Sequence, residues 1–209
     1  MEKIVNNGAG KPYYTQRNNK LSPAAACNVT AMVAGLSAAG YDVDHMVPEG
    51  VQPEDDLLNF LRTDERVQRF YKEQDPHKTI PPNEWHPVLC YGTNLWVADK
   101  LGVKPVDYHY SMQVRDFVAA IDAGGAVVTS GKFEIKPGQR SGHVVAVTGY
   151  HRNNGKLTGF IIDDSWGDYH DYYLTKRGKA IFMSIDDFKK IIRGFGITDK
   201  MGHIIRKAA

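Results

Sequence analysis

Among the two cysteines and eight histidines of the 209-residue chain, one of each stands where nucleophilic chemistry could be assembled. Ser22-Pro23 reads as an N-cap with proline at the first helical position. Val29, Met32, Val33 and Leu36 then recur at helical spacing, and Gly40 marks a stop. Cys27 is therefore expected in the first turns of a buried helix, where the dipole and free N–H groups stabilise a thiolate. A base is expected from a hairpin. His143 opens a Val-rich run to Tyr150, Asn153-Asn154-Gly155 tolerates the positive φ of a tight turn, and Leu157 to Asp163 runs back. A turn centred near Asn154 sets His143 opposite roughly residues 164 to 166, with cross-strand neighbours about 5 Å apart and diagonals about 7–8 Å. Asp164, and less directly Asp163, is then in reach of the imidazole, where a carboxylate fixes the tautomer and stabilises the protonated ring. Gln16, eleven residues before Cys27, is the candidate side-chain donor to an oxyanion, beside the Cys27 N–H.

The elements that must position these groups change character along the chain. After the Cys27 helix, a second helix is expected beyond Pro53 (Leu57, Leu58, Phe60, Leu61). A third runs from about Asn83, with Trp85, Val88, Leu89, Leu95 and Trp96 on its apolar face, and a fourth carries Val114, Phe117, Val118 and Ile121, ended by Gly124-Gly125. Ala126 to Ser130 and the two hairpin runs read as strands, with shorter candidates at Tyr172 to Thr175 and Ala180 to Met183. Ser184 and Asp187 form a capping box for a helix stopped by Gly194, and Gly202 to Arg206 returns as a strand. Helices first and antiparallel strands second is the order of an α+β fold.

Composition removes several classes of function. Lys and Arg number 26 against 24 Asp and Glu, a net charge of +2, which leaves no electrostatic case for a nucleic-acid binder. A hydrophobic share of 42% with 24% charged residues is ordinary globular usage, in a length suited to one domain, 1–209. Two cysteines make no disulfide framework, so a reduced environment is the simpler reading. The Met1–Gly8 start has no signal-peptide run, and Val29 to Ala39 is too short to span a bilayer. Cytoplasmic synthesis without stable membrane association is expected. Neither a His-Glu-x-x-His helix nor paired Cys-x-x-Cys motifs occur, so no metal and no cofactor are expected. Cys90, between Leu89 and Tyr91, reads as core, and His151 and His170 as surface or core.

The stretch Tyr13-Tyr14-Thr15-Gln16-Arg17-Asn18-Asn19, followed by Cys27-Asn28-Val29-Thr30, resembles the start of the bacteriocin-leader-peptidase-like group of papain-fold cysteine peptidases. Gly142-His143-Val144-Val145-Ala146-Val147-Thr148-Gly149-Tyr150 resembles that group's histidine strand, and Asp163-Asp164-Ser165-Trp166-Gly167-Asp168 its Asp-Pro-aromatic-Gly segment. The resemblance implies a papain-like fold, a helical lobe with the nucleophile facing an antiparallel sheet lobe. It also implies Cys27 as nucleophile, His143 as general base and acid, Asp164 as orienter and Gln16 as oxyanion donor. Asn28 replaces the commoner glycine after the nucleophile, and Ser165 replaces proline, which weakens the choice between Asp164 and Asp163. Trp166, Tyr150 and Tyr14 are candidates to line the substrate cleft.

The function expected is cysteine-peptidase hydrolysis of amide bonds through a Cys-His-Asp triad. The Gln-Arg-x-Asn … Cys-Asn-Val-Thr form resembles small stand-alone phage and bacterial proteins, some similar to endolysins. On that looser likeness the expected substrate is the peptide part of bacterial peptidoglycan, reached when the protein is released to the cell wall during lysis. The alternatives are a protease that processes peptides or proteins, a non-catalytic papain-fold binding module, and, more distantly, a zinc hydrolase using His143, His151 and an aspartate.

Overall fold

In the computed structural model, residues 1–77, 79–192 and 200–209 are described. Helices α1 (Cys27–Ala38), α2 (Pro53–Thr63), α3 (Glu65–Gln74) and α4 (His86–Leu101) follow a first strand, β1 (Glu2–Asn6). After them come β2 (Val106–Met112), α5 (Val114–Asp122), β3 (Ala126–Lys136), β4 (Gln139–Asn153), β5 (Lys156–Asp164), β6 (Gly178–Ser184), α6 (Ile185–Ile191) and β7 (Lys200–Ile205). The strands form one antiparallel sheet in the order β2-β7-β3-β4-β5-β6, with β1 added against β4. This is the α+β architecture expected, a helical lobe on a sheet lobe.

α1 carries no charged residue, and every residue after Cys27 is buried. A helix apolar on all sides must be covered on all sides. Val29, Met32, Val33 and Leu36 therefore join Leu57, Leu58, Leu61, Val88, Leu89 and Trp96 in one core, which reaches the sheet at Val128, Val144 and Ala146. The opposite face of the sheet supports a second core, in which Phe117 of α5 and Phe188 of α6 meet Phe133, Tyr150 and Phe160.

Several expected boundaries move for local reasons. α1 starts at Cys27 and not at Pro23, because Ser22 sits at φ 52° and a turn closes from Ala25 N–H to the Ser22 carbonyl at 2.9 Å. The nucleophile candidate is thereby the first residue of the helix. Beyond Pro53 there are two helices: Asp64 ends α2 and caps α3 by accepting from the Arg66 and Val67 N–H groups. α4 begins at His86, three residues past Asn83. Tyr172 to Thr175 is no strand, since Tyr172 and Tyr173 take φ of 57° and 65° after a short 3-10 turn at Tyr169–Asp171. Ser184 caps α6 as expected, whereas Gly194 lies outside the described residues. β1 and β2, too short or too polar to show in the pattern, were not anticipated.

Candidate active site

The hairpin brings the two polar partners together with a register one to two residues off the expected one. Asn153 pairs with Lys156 and Ala146 with Asp163, with irregularities between Val147 and Gly149 and between His151 and Arg152. β4 opens at Gln139, so His143 lies inside the strand, paired across with Gly131 of β3. β5 stops at Asp164, and the imidazole and this last carboxylate meet diagonally: His143 Nε2 lies 2.7 Å from Asp164 Oδ1. Asp163, on the alternate side of the strand, is instead held by Lys179 Nζ at 2.6 Å and by the Ala180 N–H at 2.9 Å. Asp163 is thus committed elsewhere, and Asp164 is the carboxylate on the ring.

Asp164 is fully buried and its oxygens are accounted for. Oδ1 also accepts from the Trp166 N–H at 2.9 Å, and Oδ2 accepts from the Tyr173 hydroxyl at 3.3 Å. Phe133 and Tyr173 stand edge-on to the imidazole at 5.4 and 6.0 Å between centroids, closing the ring in without touching its polar edge. With Nε2 spent on Asp164, Nδ1 is the nitrogen left over, and Cys27 is close enough to act on the charge of the ring. Burial opposes charge on His143, but the Asp164 carboxylate, followed by Cys27, outweighs it and raises the His143 pKa to about 10. The pairing thereby favours the imidazolium, the form of the ring that stabilises a thiolate.

The oxyanion side is built at the start of α1. Ala26, the N-cap, offers no side-chain oxygen to the free N–H groups, and among the described residues nothing accepts from the Cys27 N–H. Gln16, 2% exposed, is gripped at both ends of its amide. Its Nε2 donates to the Pro23 carbonyl at 2.8 Å, and its Oε1 accepts from Ser165 Oγ at 2.7 Å. A carbonyl can only accept, so Pro23 fixes which end of the amide is nitrogen. One Nε2 hydrogen remains for a substrate oxygen. Asn28, the departure beside the nucleophile, donates through Nδ2 to the Asn83 carbonyl and so ties α1 to the segment leading into α4.

Ser165, Tyr173, Tyr13 and Asn83 also belong to this site, and the sequence marks none of them for a role in its chemistry. Ser165 and Tyr13 stand within the stretches that carry the family resemblance; Tyr173 and Asn83 are brought in only by folding. Tyr13 donates its hydroxyl to the Asp164 carbonyl at 2.8 Å and accepts from the Gly178 N–H at 3.0 Å. A methyl on Gly178 would lie 2.1 Å from the Asp164 carbonyl oxygen and 2.5 Å from that of Gly167. Neither backbone oxygen can yield. Gly178→Ala is therefore expected to cost about 1–3 kcal/mol in denaturant unfolding and to displace Asp164 from the ring, visible as a shift of the His143 imidazole NMR signals.

The aromatic cleft candidates divide. Tyr150 is fully buried in the second core and donates to Asp122 at 2.6 Å, so it packs the sheet against α5 and lines no cleft. Tyr14 is buried too, with its hydroxyl on Asp44 at 3.1 Å. Trp166, part-buried, follows Asp164 and remains near the site. Cys90 packs against the first core, its pKa pushed up to about 11 chiefly by burial, the behaviour of an inert thiol. Among the described residues, no three His, Cys, Asp or Glu side chains gather to hold a metal ion, and no helix is long and apolar enough to cross a membrane.

A helix that presents a cysteine at its first residue to a histidine on an antiparallel sheet defines the papain-like fold. The model of the Peptidase C39-like family matches residues 10–187, so the chain belongs to that family, and its class is that of a peptidase. It is also similar to the crystal structure of a Bacillus anthracis protein named as a C39-like peptidase. The TM-score is 0.57, with 14% identity, over 99% of this chain and 100% of that one. At that identity the likeness speaks for the fold. No curated protein matches this chain.

Proposed function

We propose that the chain is a cysteine peptidase in which Cys27, His143 and Asp164 act as a triad and Gln16 as oxyanion donor. The observation that carries this is the 2.7 Å contact of His143 Nε2 with Asp164 Oδ1, with Cys27 at the first residue of α1 close enough to act on the ring. The Cys27 thiolate attacks the scissile carbonyl, and the developing oxyanion accepts from the Cys27 N–H and Gln16 Nε2. The His143 imidazolium protonates the leaving amine, which departs and leaves a thioester. His143, now neutral, takes a proton from water, which attacks the thioester carbonyl and releases the carboxylic acid and the thiolate. Asp164 keeps the imidazole oriented and stabilises its charged form throughout.

The substrate we propose is the peptide part of bacterial peptidoglycan, supported by the likeness of the Gln16–Thr30 stretch to small lysin-like proteins. The test is incubation of purified peptidoglycan, beside a peptide library, with wild type and Cys27→Ala, and mass identification of the fragments. Wall fragments from wild type alone carry the full proposal. Cleavage confined to the library transfers it to a peptide- or protein-processing protease. No Cys27-dependent cleavage of either would overturn the enzyme reading.

Gln16→Ala removes one oxyanion donor. Its expected effect is a fall in kcat of about 10²–10³-fold with little change in KM, measured on whichever substrate the first experiment identifies.

A further inference from the structure

Arg17 adjoins the oxyanion candidate Gln16 and is held unusually firmly for a part-exposed arginine. Its guanidinium lies 3.9 Å over the Trp166 ring, and its Nε donates to the Trp166 carbonyl at 2.7 Å. Stacking on one face and a hydrogen bond at one edge leave few rotamers open. Among the described residues both Nη groups stay unused and no carboxylate pairs with Arg17, although Arg66 finds two and Arg206 one. A fixed fork with two free parallel donors suits a planar carboxylate.

The position assigns the side of the cleft. Trp166 stands two residues past Asp164 and its N–H donates to the same Asp164 oxygen that holds His143 Nε2, so Arg17 lies on the histidine side of the site, and His143 is the group that protonates the leaving amine. We infer that Arg17 is a substrate anchor that receives a carboxylate on the leaving-group side of the scissile bond. This rests on the cysteine-peptidase reading and deepens it, because it names a substrate class: peptides acidic just beyond the cleaved bond, or ending there in a free carboxylate. Arg17 is then a specificity residue, while its contacts to Trp166 keep the guanidinium in place before substrate arrives.

The test separates anchoring from catalysis by using Cys27→Ala, which can bind without cutting. A hexapeptide pool is made in twins, Glu against Gln at each position and free against amidated C-terminus. The pool is equilibrated with the immobilised protein, and the retained fraction is read by mass spectrometry. Because hydrogen bonds to a charged group are the strong ones, carboxylate twins are expected to be retained at least about tenfold over their neutral counterparts. The winning twin identifies the source, side chain or chain end. Adding Arg17→Gln should erase the discrimination, and Arg17→Lys, which keeps the charge without the fork, should restore only part of it.

A purely structural role for Arg17 would lower retention of both twins together. Equal retention of the twins by Arg17 protein, or discrimination surviving in Arg17→Gln, would overturn the inference. A wild type that discriminates in this way yet shows no iodoacetamide-sensitive turnover would leave the anchor standing and remove the cysteine-peptidase reading.

Discussion

Cys27→Ala is expected to reduce turnover to background, a loss on the order of 10⁴–10⁶-fold in kcat, because the thioester route disappears with the sulfur and the remaining groups have no nucleophile to act on. The substitution removes one atom from the first residue of α1. Cys27 is only part-buried and makes no cap, while the helix is held by Val29, Met32, Val33 and Leu36. Its melting temperature should therefore stay within a few degrees of wild type, which separates a lost nucleophile from a lost fold. Cys90 provides the internal control. Cys90→Ala is expected to retain turnover, and iodoacetamide should label Cys27 far faster than Cys90, whose thiol burial holds protonated. Unchanged turnover in Cys27→Ala would remove the proposed mechanism entirely.

The second large effect belongs to Asp164. Asp164→Ala leaves His143 without the partner of its Nε2 and is expected to lower kcat by about 10²–10⁴-fold. Its pH dependence gives a sharper test. In the wild type the carboxylate raises the histidine pKa to about 10 against the opposing effect of burial. The imidazolium needed to protonate the leaving amine therefore persists up to that pH and is lost as pH rises through it. Removing Asp164 leaves burial unopposed by its largest counterweight, so the alkaline limb of kcat/KM must move to lower pH. That limb belongs to the Cys27–His143 pair and not to either group alone. Asp163→Ala should leave the limb in place, because Asp163 is bonded to Lys179 and the Ala180 N–H. Its cost is expected in unfolding free energy, where Lys179 loses a buried partner. An alkaline limb that moved with Asp163 and not with Asp164 would reverse the assignment.

Most of the architecture was legible because it depends on local pattern. The charge-free stretch from Cys27 to Ala38 could only be a buried helix, Asn154-Gly155 takes the positive φ of a tight turn, and Ser184 with Asp187 starts α6. These follow from side-chain size, hydrogen-bonding capacity and backbone freedom over a few residues. Misread stretches were those in which tertiary partners outweigh propensity. Tyr172 and Tyr173 look like a strand, yet both adopt left-handed backbone so that the Tyr173 hydroxyl reaches Asp164. Ser22-Pro23 looks like a helix start, yet the Pro23 carbonyl is taken by Gln16. Tyr150 is by residue type only a candidate for the cleft, and β4 turns it into the second core.

The sequence by itself determined the candidates: which cysteine stands at a helix start, which histidine lies on the hairpin, and that a carboxylate closes the facing strand. Only the tertiary structure decided between Asp163 and Asp164, set the orientation of the Gln16 amide through Pro23 and Ser165, and placed Arg17 on Trp166 with its donors free. The physical reason is range. Helix starts and tight turns are fixed by interactions a few residues apart, whereas the strand irregularities and side-chain hydrogen bonds that build the site join residues as far as 165 positions apart.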